Sequence, residues 1–145
     1  MRFERRSIGG KAMLENLHVK NLALIDEQEI TFTRGLNILT GETGAGKSIV
    51  LGSIHLALGA KADKDIIRSG ADYALIELLF SLNDIQKKQM EEMDFPLEED
   101  GTLLLQRKIM PGKSICRING ETVSVSQLKE LSGCLMDMYG QHEHQ

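Results

Sequence analysis

The sequence predicts an α/β fold, strand-rich and built around one phosphate-binding loop. Three observations point to it. The run Gly41-Glu42-Thr43-Gly44-Ala45-Gly46-Lys47-Ser48 fits the pattern G-x-x-x-x-G-K-[ST] at every fixed position. A short apolar run at 36–40 precedes it and an apolar segment of helical length, 49–58, follows, which is the strand–loop–helix order such a loop requires. The remainder reads mostly as short strands separated by turn signals, without the regular strand–helix alternation of a small nucleotide kinase.

Element by element, residues 1–12 are basic, lack periodicity and end in Gly9-Gly10, so they read as a disordered leader, with Met13 as the natural start of the fold. Leu14, Leu17, Val19, Leu22, Leu24 and Ile25 suggest a strand with a turn near Lys20-Asn21. The alternation of Glu29-Ile30-Thr31-Phe32 suits a half-buried strand, and Arg34-Gly35 reads as the turn into the strand at 36–40. After the helix comes a polar loop from Gly59 to Gly70. Residues 73–82 are apolar and β-prone. Asn83 or Asp84 is the expected cap of a helix running to Met93 and ending before Pro96. Strands are expected at 102–109 and 114–118, joined by a turn at Pro111-Gly112. Asn119-Gly120 signals a tight turn into Thr122-Val123. Ser124 or Ser126 caps a helix carrying Leu128 and Leu131, and 135–139 is expected as a further strand.

The loop's chemistry follows from the charge of a triphosphate. Backbone N–H groups can hold it only where the chain approaches closely and turns sharply, and Gly41, Gly44 and Gly46 have no Cβ to prevent that. The loop feeds a helix start, whose unpaired N–H groups and positive dipole end attract anions. Lys47 is expected to reach the β- and γ-phosphates, and the Ser48 hydroxyl to be one ligand of Mg²⁺. ATP with Mg²⁺ is therefore the expected ligand.

At 145 residues, 41% hydrophobic and 26% charged, the chain has the size and composition of one ordinary globular domain with a real core. It holds no run of 18 apolar residues and no apolar stretch after its first basic residues, so neither a membrane helix nor a secretory signal is expected, and cytoplasmic placement is. Cys116 and Cys134 stand apart and outside any C-x-x-C, which favours reduced packing residues over a disulfide or a metal site. A net charge of −4 argues against tight nucleic-acid binding by the whole chain, though not against a local patch. Arg107, Lys108, Lys113 and Arg117 cluster around the turn at Pro111-Gly112. A charged, solvated hairpin edge is the favoured reading over a DNA-phosphate patch. His142-Glu143-His144 lacks the further ligands that zinc requires.

A complete P-loop ATPase also needs an apolar strand ending in an acid that holds Mg²⁺ and orients water. No segment after the loop supplies it: Leu135-Met136-Asp137 is short and interrupted. Leu22-Ala23-Leu24-Ile25-Asp26 has the right letters but lies upstream, in an outer strand. Leu131-Ser132-Gly133-Cys134 only approaches an L-S-G-G signature. The chain carries the phosphate half of a site without the hydrolytic half.

The strands before the loop and the meander after it resemble the first lobe of an ABC-type ATPase head. More narrowly, Met13 to Asp26, the stretch Gly35 to Ser48, Ile66-Ile67-Arg68-Ser69-Gly70 and the closing Tyr139-Gly140-Gln141-His142-Glu143-His144-Gln145 resemble the RecN family of bacterial DNA-repair proteins. The match covers 13–145. That resemblance implies an SMC-like head split in two, with this chain as the N-terminal lobe, ending near the Q-loop before a coiled coil. It implies as partners the C-terminal lobe of the same head, a second head in an ATP-dependent dimer, and DNA. It makes Gln141 the Q-loop glutamine facing Mg²⁺ and the attacking water, with Gln145 the rival assignment, and it directs Arg68 towards nucleotide. Two other readings stay open: a self-contained small P-loop kinase, for which an acidic base and an arginine lid are missing, and a non-catalytic interaction module.

Overall fold

Alternating apolar residues set the sheet. The computed structural model describes residues 13–32 and 44–139, the side chains at 44–48, 64, 134 and 136–139 excepted. Its strands are β1 (Met13–Leu22), β2 (Ile25–Thr31), β3 (Ala74–Ser81), β4 (Thr102–Met110), β5 (Lys113–Ile118) and β6 (Glu121–Val123). The helices are α1 (Gly44–Ala57), α2 (Asp84–Glu92) and α3 (Val125–Tyr139). The strands form one six-stranded sheet in the order β2-β1-β3-β4-β5-β6, and every described pairing is antiparallel. The strand predicted at 36–40 lies outside the described residues, as do 1–12 and the C-terminal motif beyond Tyr139.

Period-two burial identifies the inner face. On β3, Ala74, Ile76, Leu78 and Phe80 are fully buried, and on β4 Leu103, Leu105 and Ile109 join them. Val50, Ile54 and Ala57 of α1 and Leu128, Leu131 and Leu135 of α3 belong to the same core. The spacing of the α3 leucines, three then four residues, puts them on one helical face. Residues 135–139, predicted as a strand, are therefore the last turns of α3, because Leu135 continues that stripe. Gly133 does not break the helix: its side of α3 is exposed, and no atom lies within 4 Å of where a Cβ would be.

The ends of the helices obey local rules. Asn83 caps α2 in a reciprocal box with Gln86: the Asn83 side chain accepts from Gln86 N at 2.8 Å, and Asn83 N donates to Gln86 Oε1 at 2.8 Å. Ser124 and Gln127 repeat the box before α3. Helix α1 closes with a Schellman turn, in which Ala60 N donates to His55 O and Gly59 N to Leu56 O. Gly59 occupies the left-handed position at φ 110°, and a Cβ there would stand 2.8 Å from Lys129 Cγ of α3. Glycine thus both ends α1 and lets α3 approach.

The turn between β1 and β2 falls at Ala23-Leu24, three residues beyond the predicted Lys20-Asn21. Asn21 does adopt a positive φ of 56°, but it does so inside β1, next to Ala23 at 52°. Bonds from the loop after α1 fix this geometry: Ala23 N donates to Ile66 O and Arg68 N to Asn21 O.

Candidate functional site

The described part of the phosphate loop is its end. Helix α1 starts at Gly44, so residues 44–48 are the first turn of a helix that packs directly on the sheet core. A first turn leaves backbone N–H groups without intrahelical partners and carries the positive end of the helix dipole. Gly41, Glu42 and Thr43 lie outside the described residues, as do Gln141 and its rival Gln145. Ala45, Gly46, Lys47 and Ser48 have described backbone only. The residues fit a magnesium nucleotide on two counts. The helix start falls within the glycine-rich loop, and Ser48 supplies a hard oxygen donor of the type Mg²⁺ prefers. Among the described residues no cluster of His, Cys, Asp or Glu could hold a metal by itself.

Arg68 braces the β1–β2 hairpin. Its Nη1 donates to Leu24 O at 3.0 Å, and its backbone N joins Asn21 O. Asp26 sits on β2, which is an edge strand among the described residues. Cys116 is buried and free.

Beside α1 lies a crevice of about 530 Å³ lined by Leu22, Leu24, Ile25, Ile49, Leu56 and Ile66, among others. Its rim exposes apolar surface, with Leu24 92% and Ile49 47% accessible. Helix α1 is thus apolar on two sides, one buried on the sheet and one open, the pattern of a helix meant to be covered on both.

The basic cluster at the β4–β5 turn is not one patch. Arg107 falls on the inner face of β4, in register with Cys116 and only 4% exposed. Its Nη1 donates to Leu56 O at 2.7 Å and Ala60 O at 2.5 Å, and its Nε to Ser114 Oγ at 3.3 Å. Strand alternation put Lys108 on the other face, its Nζ 4.7 Å from the centre of the Tyr73 ring, while Lys113 and Arg117 are exposed. Both sequence readings of the cluster therefore fail at Arg107. Composition marks it as a surface charge, and only its place in the inner alternation with Leu103, Leu105 and Ile109 could have revealed it.

On the opposite face, a polar network crosses four strands. His18 Nδ1 lies 2.8 Å from Glu77 Oε1, His18 Nε2 lies 2.8 Å from Glu27 Oε2, and Gln106 Nε2 donates to Glu77 Oε2 at 2.7 Å. The hydrogen bond with Glu27, then that with Glu77, raises the His18 pKa above its ordinary 6.5. A raised folded value means the charged imidazole stabilises the fold fully below about 6.5 and ceases to as pH rises through the higher folded value. The melting temperature of the wild type should exceed that of His18→Gln at about pH 6, and the gap should close towards about pH 9. A gap that widens with pH would contradict the network.

Comparison with known proteins agrees with this geometry. Residues 16–140 match the AAA domain family. The chain is 42% identical over 135 residues to the DNA repair protein RecN of Halalkalibacterium halodurans, covering 92% of this chain and 24% of that one. It is 37% identical to the DNA repair protein RecN of Bacillus subtilis, covering 92% and 23%. A solved structure described for ATP-driven dimerization and DNA-stimulated activation of SMC ATPases superposes with a TM-score of 0.65 at 25% identity, covering 86% of this chain and 80% of that one. The chain spans about a quarter of the length of the curated relatives it matches.

Proposed function

Because the chain belongs to the AAA domain family and matches DNA repair proteins named RecN over nine-tenths of its length, we propose that it is the ATP-binding lobe of a RecN-like ATPase head. The head would act in double-strand-break repair and recombination. The observation that carries the reading is the sequence Gly41 to Ser48 running into α1, a helix that begins inside the motif and is packed on the core. In this reading backbone N–H groups of the loop and first turn hold the phosphates, Lys47 neutralises them and Ser48 ligates Mg²⁺. The bound Mg²⁺ would neutralise charge on the β- and γ-phosphates. Gln141, or Gln145 in its place, would face the metal and the attacking water. Arg68, already turned towards the β1–β2 hairpin, would reach nucleotide with a part of its guanidinium other than the Nη1 bond to Leu24.

Partners follow from the open side of α1. The apolar crevice between Leu24 and Ile49 suits the packing of further head sequence, the C-terminal lobe, since the relatives are about four times longer. A second head joining across ATP, and DNA engaged by the assembled protein, complete the proposal. With no acidic strand of its own to position water, the lobe alone should bind Mg-ATP weakly and turn it over at no more than the buffer rate. Isothermal titration with and without Mg²⁺, beside a phosphate-release assay, tests both statements. Sustained turnover by the purified chain would instead favour a self-contained P-loop enzyme, and no binding at all would favour an interaction module.

A further inference from the structure

Helix α1 is held at both ends by different parts of the chain. Its start lies in the phosphate loop; its end is tied to the sheet by one side chain. The Arg107 guanidinium bridges a carbonyl of the last helical turn, Leu56 O, and that of the last residue of the Schellman turn, Ala60 O, while Ser114 Oγ accepts from its Nε. Among the described residues these partners include no carboxylate, so the buried cation is matched by backbone carbonyls at the negative end of the α1 dipole. Burial lowers its pKa from the ordinary arginine value, and it stays charged. Nη1 holds both carbonyls at the end of the helix, while Nε in the same rigid plane is anchored to Ser114 on β5, so the guanidinium ties the helix end to the sheet in one fixed geometry, and a lysine's ammonium lacks that second anchor.

We infer that Arg107 is a positioning residue for nucleotide, setting the axial place and rotation of α1 and thereby the aim of the N–H groups at its other end. This rests on the ATP-binding reading above. Helix α1 has 14 residues, so its ends are about 20 Å apart. A packed helix moves as a rod over that distance, and a shift at the carbonyl end reappears at the phosphate end. Phosphate binding and the Arg107 clamp are then energetically coupled, and the coupling must be reciprocal. Ligand at the loop protects the clamp, and loss of the clamp weakens the ligand.

The experiment compares the full chain with Arg107→Met, Arg107→Lys and Ser114→Ala. Affinity for a fluorescent ATP analogue with Mg²⁺ is read beside thermal melting and hydrogen exchange at the amides of 56–60. In the wild type, Mg-ATP should slow exchange at 56–60, far from the phosphates. Arg107→Met should lose that distant protection and bind at least about fivefold more weakly, with Arg107→Lys recovering part of the affinity. Ser114→Ala removes only the bond to Nε and should give a smaller loss in a protein that melts normally, which keeps the test open if Arg107→Met does not fold. Folded variants that melt lower yet bind ATP like the wild type, with distant protection intact, would overturn the inference and leave Arg107 a purely structural clamp. Failure of the wild type itself to bind would remove the ATP reading and the inference with it, an outcome seen before any variant is compared.

Discussion

Replacing Lys47 by alanine should weaken Mg-ATP binding by about 1.5–3 kcal/mol, a loss of tenfold to over a hundredfold. Among the residues of the loop, Lys47 is the only one with a full positive charge, and it would face the most negative part of the ligand. The neighbouring N–H groups contribute partial charges, and glycines contribute shape, so neither can replace a missing ammonium. In a site proposed to be weak without a second lobe, such a loss would take binding below detection in an ordinary titration. The fluorescent-analogue titration used for the wild type checks it, with circular dichroism to show that the variant is folded. A folded Lys47→Ala protein that binds as tightly as the wild type would remove the loop from the nucleotide site.

Phe80→Ala should destabilise the fold by about 3–5 kcal/mol. Phe80 is fully buried in β3, between β1 and β4, with Leu14 and Leu103 as its register partners. Removing the ring forfeits its transfer from water and leaves a cavity on the inner face of the sheet that cannot fully close, because ladder hydrogen bonds to β1 and β4 hold the strand in place. Domains of this kind have about 5–15 kcal/mol in total, so the variant would be close to unfolding at room temperature. Urea denaturation of the wild type, Phe80→Ala and Leu24→Ala separates burial from hydrophobicity. Leu24 is 92% exposed and its loss should change stability by under about 0.5 kcal/mol. A cost below about 1 kcal/mol for Phe80→Ala would mean that the ring is not at the centre of the core.

Much of this fold is legible in the residues themselves. Strands β3 and β4 alternate cleanly, and the Asn83 cap and the Asn119-Gly120 turn are chemical signals that need no tertiary context; Asn119 and Gly120 both take positive φ, at 49° and 86°. Residues 135–139 misled because a five-residue apolar run has no period of its own; only the distance back to Leu128 and Leu131 marks it as helix. The β1–β2 turn was displaced because Ala23 and Asn21 are held by bonds to Ile66 and Arg68, in a loop more than forty residues away, information no local window contains. In the site, the glycines and Lys47 announce themselves by type and spacing. Arg107 does not, since a buried guanidinium paired with carbonyls depends on where a helix ends in space.

The strand order β2-β1-β3-β4-β5-β6 also divides the folding problem unevenly. Strands β3 to β6 each pair with the next in sequence, across tight turns at β4–β5 and β5–β6 and across α2 at β3–β4. The β1–β3 seam must instead be closed across α1 and the phosphate loop, and its pairs, such as Met13 with Ser81, are the farthest apart in sequence of any in the described sheet. The segment that would bind nucleotide is therefore the same segment whose closure is entropically most expensive. A ligand held by that segment would act on the least local seam of the described sheet.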